Sequence, residues 1–300
     1  MNKFQAWIMA ARPRTLPLAL ASIGMGAFLA ASADLFSWQV LLLSALTTIF
    51  LQVLSNLAND YGDSIHGADS ADREGPTRAV QAGYISPKAM KQAMIIFGIL
   101  SFASGLWLLL AALPGNQLLL FLFLLLGIAA IFAAITYTSG SKPYGYAGLG
   151  DLSVLLFFGI VGVLGSYYLH AQQLSWDHLL PALSCGLFST AVLNVNNIRD
   201  IRTDEMAGKR SIPVRLGRSR AVTYHWMLLF SGILCSVCYV IVNFESWWQF
   251  LFVISLPLLI KNGRAVQHKK TSAALDPYLK QMALTTLLYV LTFGIGQLLV

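Results

Sequence analysis

Residues 55–63 read SNLANDYGD and residues 194–204 read NVNNIRDIRTD, and each stretch stands where a long apolar segment ends. Carboxylates are costly at the edge of a hydrocarbon layer and rarely lie there without a partner or a function. Two such clusters at matching positions predict one shared site for divalent cations and for whatever those cations hold. The amide and carboxylate side chains concerned are Asn56, Asn59, Asp60 and Asp63 in the first stretch and Asn196, Asn197, Asp200 and Asp204 in the second.

The composition around these stretches indicates an integral membrane protein. The chain of 300 residues is 57% hydrophobic and only 11% charged, whereas a soluble domain carries about 25% charged residues. Most of its apolar runs approach the ~20 residues that a helix needs to cross the hydrocarbon. We therefore expect an all-α polytopic bundle of about nine transmembrane helices, in one membrane domain over residues 1–300. The runs are 15–32, 38–58, 89–113, 116–138, 149–171, 178–198, 221–242, 246–261 and 278–300.

The charges predict the orientation of the bundle. With nine helices and a cytoplasmic N-terminus, all 20 Lys and Arg residues fall on the cytoplasmic side. The opposite loops hold only Asp34, Asp177 and Glu245 as full charges. This is the positive-inside bias of membrane proteins. The net charge of +7 therefore indicates topology and not nucleic-acid binding.

Helical spacing brings the polar residues of each stretch onto one face. Asn56, Asp60 and Asp63 stand at i, i+4 and i+7, which share a face of a helix. Asn196, Asp200 and Asp204 stand at i, i+4 and i+8, and we expect them on one side as well. Such hard oxygen ligands suit Mg²⁺, which takes one or two carboxylates and binds substrate phosphates. Two facing half-sites could hold a diphosphate through Mg²⁺; the alternative is that these carboxylates only pair with nearby arginines.

A diphosphate also needs fixed positive charge near the acidic stretches. Arg78, Lys142, Arg199 and Lys209 lie on the expected cytoplasmic side. Arg can hold phosphate oxygens with two hydrogen bonds, whereas Lys acts as a point charge. Lys142 is the only charge in SGSKPYGYAGLG, residues 139–150. We therefore expect Lys142 and Arg78 to hold the diphosphate.

Three further residues are expected near the same cytoplasmic ends of the helices. Asp151 opens the fifth run, where an acid either complements a helix N-terminus or orients Lys142 or a substrate hydroxyl. Tyr137 and Tyr144 could line a site, although interfacial tyrosines are common in membrane proteins.

These motifs resemble the UbiA superfamily of intramembrane aromatic prenyltransferases. The resemblance rests on the N-x-x-N-D-x-x-D motif after the second run, the D-x-x-x-D motif after the sixth, and nine predicted helices. Five further segments resemble one branch of the family. They are ARPRTLPLALASIGMGAF, QVLSNLANDYGD, GPTRAVQAG, YTSGSKPYGYAGLGD and LNVNNIRDIRTDEMAGKRSIPVRLG. Family members that act on 4-hydroxybenzoate often carry a denser aspartate run in the second motif, where this chain has asparagines.

The resemblance implies a function and a set of site residues. It implies transfer of a polyprenyl chain from polyprenyl diphosphate to 1,4-dihydroxy-2-naphthoate in menaquinone biosynthesis, with loss of CO₂ and diphosphate, in a bacterial cytoplasmic (inner) membrane. Mg²⁺ would be held by Asp60, Asp63, Asp200 and Asp204, which would act in catalysis together with Lys142. The substrates would contact Asn56, Asn59, Arg78, Tyr137, Tyr144, Asp151, Asn196, Asn197, Arg199 and Lys209.

Two other functions are compatible with the residues. One is prenylation of a different aromatic acceptor, such as 4-hydroxybenzoate. The other is transport of an anionic solute, which would explain the helices and the weak repeat of the acidic motif. Transporters, however, usually bind substrate near the membrane midplane, whereas both acidic stretches lie at one expected membrane face.

The charge distribution makes a testable prediction of topology. Reporter fusions at Asn116 and Gln173 should report the external side, and a fusion at Ser141 should report the cytoplasm, because every basic residue then remains inside. Paired alkaline phosphatase and green fluorescent protein fusions measure this directly. An external signal at Ser141 would contradict both the orientation and the shared cytoplasmic site.

Overall fold

The structure is a computed structural model that describes residues 2–65 and 78–300. In these ranges, nine helical segments are long and apolar enough to cross a membrane. The predicted all-α polytopic bundle is therefore confirmed. The α-helices are α1 Lys3–Ala11, α2 Leu16–Ser32, α3 Trp38–Ile65, α4 Pro87–Ala112, α5 Gln117–Thr136, α6 Gly150–Val154, α7 Ser166–Ala171, α8 Leu179–Arg199, α9 Ile201–Met206, α10 Ile212–Val242, α11 Leu256–His268 and α12 Ser272–Leu298.

The first spanning segment is interrupted by a turn between α1 and α2. Helix α1 ends where Arg12 adopts a left-handed backbone conformation with φ of 48°. Pro13 follows and opens a short 3₁₀ turn, Pro13–Thr15, before α2 begins. Because proline cannot continue the preceding helix, Arg12 and Arg14 are held on a turn between two helices.

The fifth spanning segment, Gly150–Ala171, joins α6 and α7 through a π-helical stretch, Leu155–Gly165. This stretch packs closely on α8. A Cβ atom at Gly159 would lie 2.8 Å from the carbonyl oxygen of Ala182 and 2.9 Å from the Cα of Gly186. Long π-helices are rare and frequently occur at functional sites. The other side of this one lines a cavity described below.

Several helices extend beyond the apolar runs that predicted them. The seventh helix begins at Ile212 and not at residue 221, and its polar first part contains Gly217 at φ of 73°. The eighth segment begins as a 3₁₀ helix, Trp247–Ser255, and continues as α11 to His268, beyond the predicted end at residue 261. Apolar runs mark only the part of a helix in hydrocarbon, so they miss its polar extension.

Packing brings the two motif-bearing helices to one site. Helix α8 packs on α10, α12 and the π-helical stretch, while α3 packs on α4 and α2 packs on α12. The ends of α3 and α8 line one cavity. We call this end of the bundle the motif end.

Candidate functional site

The last turns of α3 carry the first motif, and its two asparagines tie α3 to neighbouring segments. Asn56 is buried, and its Nδ2 donates to the carbonyl oxygen of Ala11 and to Oγ1 of Thr15, both at 2.9 Å. The Oδ1 of Asn59 accepts a 3.0 Å hydrogen bond from Oγ1 of Thr138. These bonds fix the end of α3 against the break before α2 and the loop after α5.

Asp60 holds the segment that follows residues 66–77. Its Oδ2 accepts from the backbone N–H of Ala79 at 3.1 Å, and its Oδ1 accepts from that of Val80 at 3.4 Å. Arg12 is close enough for an electrostatic interaction with this carboxylate. Asp60 therefore joins three parts of the chain at a buried position.

Asp63 lies between a guanidinium and a phenol. Its Oδ2 accepts from Nη2 of Arg78 at 2.7 Å, and its Oδ1 accepts from Oη of Tyr146 at 3.0 Å. The side chains of Arg78 and Asp63 are 11% and 8% exposed, so this pair is largely shielded from water. The structure thus brings Arg78 to the first motif.

The second motif is not one continuous helical face, contrary to the spacing argument. Helix α8 ends at Arg199, and Asp200 has backbone angles of −101° and 12°. Asp204 then lies on the separate short helix α9. At this break, Asp200 binds the side chain of its neighbour Arg199 through both carboxylate oxygens, at 2.8 and 2.7 Å.

Arg199 connects the second motif to α12. Besides Asp200, its guanidinium binds Oδ1 of Asp276 at 2.6 Å and Oδ1 of Asn196 at 2.9 Å. Arg199 is buried, and a guanidinium in a low dielectric needs such partners. Arg199 therefore organises the end of α8 and is not a free cation.

Asp204 pairs with Lys209, with Nζ 3.3 Å from Oδ1. Burial raises the pKa of Asp204 to about 6, although the ammonium lies beside it. For Lys209, burial alone would lower the pKa, but the charges of Asp204 and Asp63 outweigh it and raise the pKa overall. Lys209 is therefore a protonated cation under the influence of both acidic motifs.

One cavity of about 460 Å³ unites the two motifs, and we call it the polar chamber. Its wall contains ten of the predicted site residues. They are Asn56, Asn59, Asp60, Asp63, Arg78, Tyr137, Asn196, Asn197, Arg199 and Lys209.

A second cavity of about 400 Å³ extends from the same residues, and we call it the apolar channel. Residues from α2 to α8, including the π-helical stretch, form its wall. The two cavities share Asn56, Asn59 and Tyr137. Burial raises the pKa of Tyr137 to about 12, so its phenol stays protonated at this junction.

Five predicted residues do not line the polar chamber. Asp200 and Asp204 are outside the wall and pair with Arg199 and Lys209, which are part of it. Tyr144 lines the apolar channel and forms a 3.0 Å hydrogen bond with Ser153. The other two are Lys142 and Asp151, whose positions are set by the loop after α5.

Lys142 is exposed because its loop folds back on α5. The backbone N–H of Gly145 donates to the carbonyl oxygen of Tyr137 at 2.9 Å, which leaves residues 140–142 at the outer edge. Asp151 is buried in the first turn of α6 and accepts a 3.1 Å hydrogen bond from Tyr224. The structure thus does not bring Lys142 to the other predicted residues.

The chamber also contains cations that the sequence reasoning missed. Arg12, Arg14 and Lys280 line its wall. The available signals were two arginines around Pro13, and one lysine that is the only charge in the apolar run 278–300.

The oxygen donors of the second motif fit a hard divalent cation. Oδ1 of Asn197 and Oδ2 of Asp204 are buried and have no hydrogen-bond partner among residues 2–65 and 78–300. These oxygens suit an ion such as Mg²⁺, which takes one or two protein carboxylates and completes its shell with water and phosphate oxygens.

Fold and site together define a multi-pass membrane protein with a charged chamber that opens into an apolar channel. The profile of the UbiA prenyltransferase family matches residues 19–292, and the chain belongs to this family. It is 47% identical over 300 residues to a protein of Haemophilus influenzae, covering 99% of this chain and 97% of the relative. It is 45% identical over 302 residues to a protein of Escherichia coli, with the same two coverages. Both relatives are named 1,4-dihydroxy-2-naphthoate octaprenyltransferase.

Solved structures share the fold at lower identity. The apo structure of a UbiA homologue from Aeropyrum pernix has a TM-score of 0.67 and 17% identity, covering 95% of this chain and 97% of that one. A UbiA homologue from Archaeoglobus fulgidus bound to GPP and Mg²⁺ has a TM-score of 0.66 and 17% identity, covering 98% and 100%.

Proposed function

We propose that this protein transfers a polyprenyl chain from polyprenyl diphosphate to 1,4-dihydroxy-2-naphthoate, a step of menaquinone biosynthesis. The proposal rests on the full-length identity of 45% to 47% with two proteins named 1,4-dihydroxy-2-naphthoate octaprenyltransferase. The joined polar and apolar cavities support it, because the donor has a highly charged diphosphate head and a long hydrocarbon tail.

The donor head fits the polar chamber and its tail fits the apolar channel. Arg78 and Lys209 present positive charge in the chamber wall and are already held by carboxylates. The channel is lined mainly by apolar side chains, against which the hydrocarbon tail can pack. The reacting carbon then falls near the junction of the two cavities, which Tyr137 lines.

Mg²⁺ would be held by Asp60 and Asp63 on one side of the chamber and by Asn197 on the other, with Asp204 next to the chamber wall through its partner Lys209. When bound, the ion would neutralise the diphosphate and favour its departure. The homologue from Archaeoglobus fulgidus, described as bound to GPP and Mg²⁺, supports this assignment. We assign Asp200 a positioning role, because Arg199 engages both of its oxygens.

The chain's own groups would act as follows. Positive charge at Arg78 and Lys209 stabilises the diphosphate as the allylic C–O bond breaks and the electron pair leaves with oxygen. The ring of Tyr137 can stabilise the allylic cation through its π face. Because its pKa is raised, Tyr137 remains a phenol and competes poorly with the substrate as a nucleophile.

The acceptor ring attacks the cation at the carbon that bears the carboxylate. A C–C bond forms, the bond to the carboxylate breaks and CO₂ leaves. The aromatic ring is thereby restored without an added oxidant. The product is the prenylated naphthohydroquinone, the reduced form of demethylmenaquinone. A chamber shielded by membrane helices also protects the cation from water.

The protein would work in the bacterial cytoplasmic (inner) membrane, with the motif end and both substrates' charged groups on the cytoplasmic side. All Lys and Arg residues fall on that side in the orientation predicted above. We also propose that residues 1–300 act as one domain, since both halves of the bundle contribute to the chamber.

The product of the purified protein tests the proposal. With Mg²⁺, octaprenyl diphosphate and 1,4-dihydroxy-2-naphthoate, mass spectrometry should find the prenylated hydroquinone, with one CO₂ released per product from carboxyl-labelled acceptor. We expect poor turnover of 4-hydroxybenzoate, because its single ring and single hydroxyl make a weaker nucleophile. Prenylation of 4-hydroxybenzoate with its carboxyl retained, and none of the naphthoate, would assign the protein to a different acceptor.

Lys209 and Lys142 form a matched pair of variants. Lys209→Gln should raise the KM for the donor at least about tenfold, the effect of losing ~1.4 kcal/mol of binding, because Lys209 lines the chamber. Lys142→Gln should change it less than about twofold, since Lys142 is exposed outside the chamber wall. Lys209→Arg, which keeps the charge beside Asp204, controls for folding. Donor kinetics that respond to Lys142 and not to Lys209 would reverse this assignment.

Metal removal gives a further test. Chelation should abolish turnover, Mg²⁺ or Mn²⁺ should restore it, and Ca²⁺ should support little turnover, because Ca²⁺ is larger and coordinates loosely.

Asp60→Asn should lower kcat by about 100-fold or more and weaken Mn²⁺ binding measured by electron paramagnetic resonance with donor present. Asp34→Asn is the control, since Asp34 is exposed and lies outside the chamber wall. Full activity in chelator would refute the metal assignment.

A further inference from the structure

Two cations in the chamber wall have no partner in the described structure. Arg14 and Lys280 line the chamber, are exposed, and make no hydrogen bond or ion pair with residues 2–65 or 78–300. The 3₁₀ turn that carries Arg14 contacts α12, which carries Lys280. They therefore lie on neighbouring elements at the open side of the chamber, which we call the mouth.

The other cations of the chamber are engaged deeper in the site. Arg78 binds Asp63 at 2.7 Å, and Lys209 lies 3.3 Å from Asp204. Arg199 binds Asp200 and Asp276. The chamber thus has two kinds of positive charge. One kind is buried among the carboxylates of the motifs, and the other stands at the mouth without them.

The position of Lys280 makes a purely topological role a weak explanation. Lys280 lies about 12 Å along α12 from Ser272, at ~1.5 Å per residue, within a membrane-spanning segment. Lys280 is the only charge in the apolar run 278–300, and an ionisable group inside the membrane is costly and often functional. Lys280 also forms part of a cavity wall, together with Leu279 and Ala283 of the same helix.

We propose that Arg14 and Lys280 bind the carboxylate of the aromatic acceptor at the mouth. This rests on the proposed function, in which both substrates are anions but only the donor carries a diphosphate. The deep cations lie beside the oxygen donors for a metal, which suits the diphosphate. Within residues 2–65 and 78–300, neither Arg14 nor Lys280 makes an ion pair, so both suit a single carboxylate that needs no metal.

The surrounding surface suits an aromatic ring attached to that carboxylate. Met9 and Leu18 from the first spanning segment line the same wall, as do Leu279 and Ala283 from α12. A naphthalene ring can pack on such apolar side chains while its carboxylate stays at the charged mouth. The reactive ring then points from the mouth towards the junction with the channel.

The proposal also gives a reason for product release. The acceptor loses its carboxylate as CO₂ when the prenyl chain is attached. The product therefore has no charge for Arg14 and Lys280 to bind, while the next acceptor does. The mouth would favour substrate over product without any conformational change.

Binding without turnover tests the proposal directly. The probes are 1-hydroxy-2-naphthoate, which carries the carboxylate, and 1-naphthol, which lacks it, titrated by ligand fluorescence into the purified protein without donor. Arg14→Gln with Lys280→Gln should weaken binding of 1-hydroxy-2-naphthoate at least about tenfold and change that of 1-naphthol less than about twofold. Arg14→Lys with Lys280→Arg should retain most of the affinity. Lys270→Gln is the control, since Lys270 is exposed outside the chamber.

Steady-state kinetics separate this proposal from the proposed function. If wild-type protein forms no prenylated naphthoate, the proposed function fails. If it does, the double variant should raise the KM for the acceptor and leave the KM for the donor unchanged. A raised KM for the donor alone would assign the mouth to the diphosphate and overturn the proposal. Equal losses for both probes, or none, would overturn it as well.

Discussion

The pairing of buried charges at one end of a membrane-spanning bundle is the constraint on which the rest of this structure depends. A charge removed from water without a partner costs several kcal/mol. At the motif end, Arg78 binds Asp63, Arg199 binds Asp200, and Lys209 lies beside Asp204. Each pair joins segments that are separate in the sequence or fixes a turn between them. The helix ends are therefore positioned by electrostatics as much as by apolar packing.

The same pairs prepare the chamber for an anion. Lys209 and Arg78 are already shielded from water and oriented, so little further desolvation is needed when a diphosphate arrives. Preorganised charge of this kind is a large contribution to catalysis in enclosed sites. The carboxylates that hold the cations are also the donors assigned to Mg²⁺, so the ion and the substrate would bind as one unit.

The sequence predicted the first half of the site better than the second. Asn56, Asp60 and Asp63 lie on one continuous helix, as their spacing indicated, because α3 extends to Ile65. The second motif has similar spacing, but the helix ends at Arg199, and Asp200 there binds the guanidinium of its neighbour. Asp63 and Asp200 pair with arginines, whereas Asp204 pairs with Lys209. These ion pairs are compatible with a metal site, because Oδ2 of Asp204 has no hydrogen-bond partner among residues 2–65 and 78–300.

Sequence alone determined the membrane class, the number of spanning segments and the two acidic motifs, because hydropathy and helical spacing are local properties of the chain. Tertiary structure decided which cations meet those motifs. Lys142 is isolated in the sequence but exposed in the fold, whereas Arg14 and Lys280 are 266 positions apart and line one cavity. The physical reason is that a cavity is formed by faces of several helices, and their rotation and packing depend on contacts distant in the sequence.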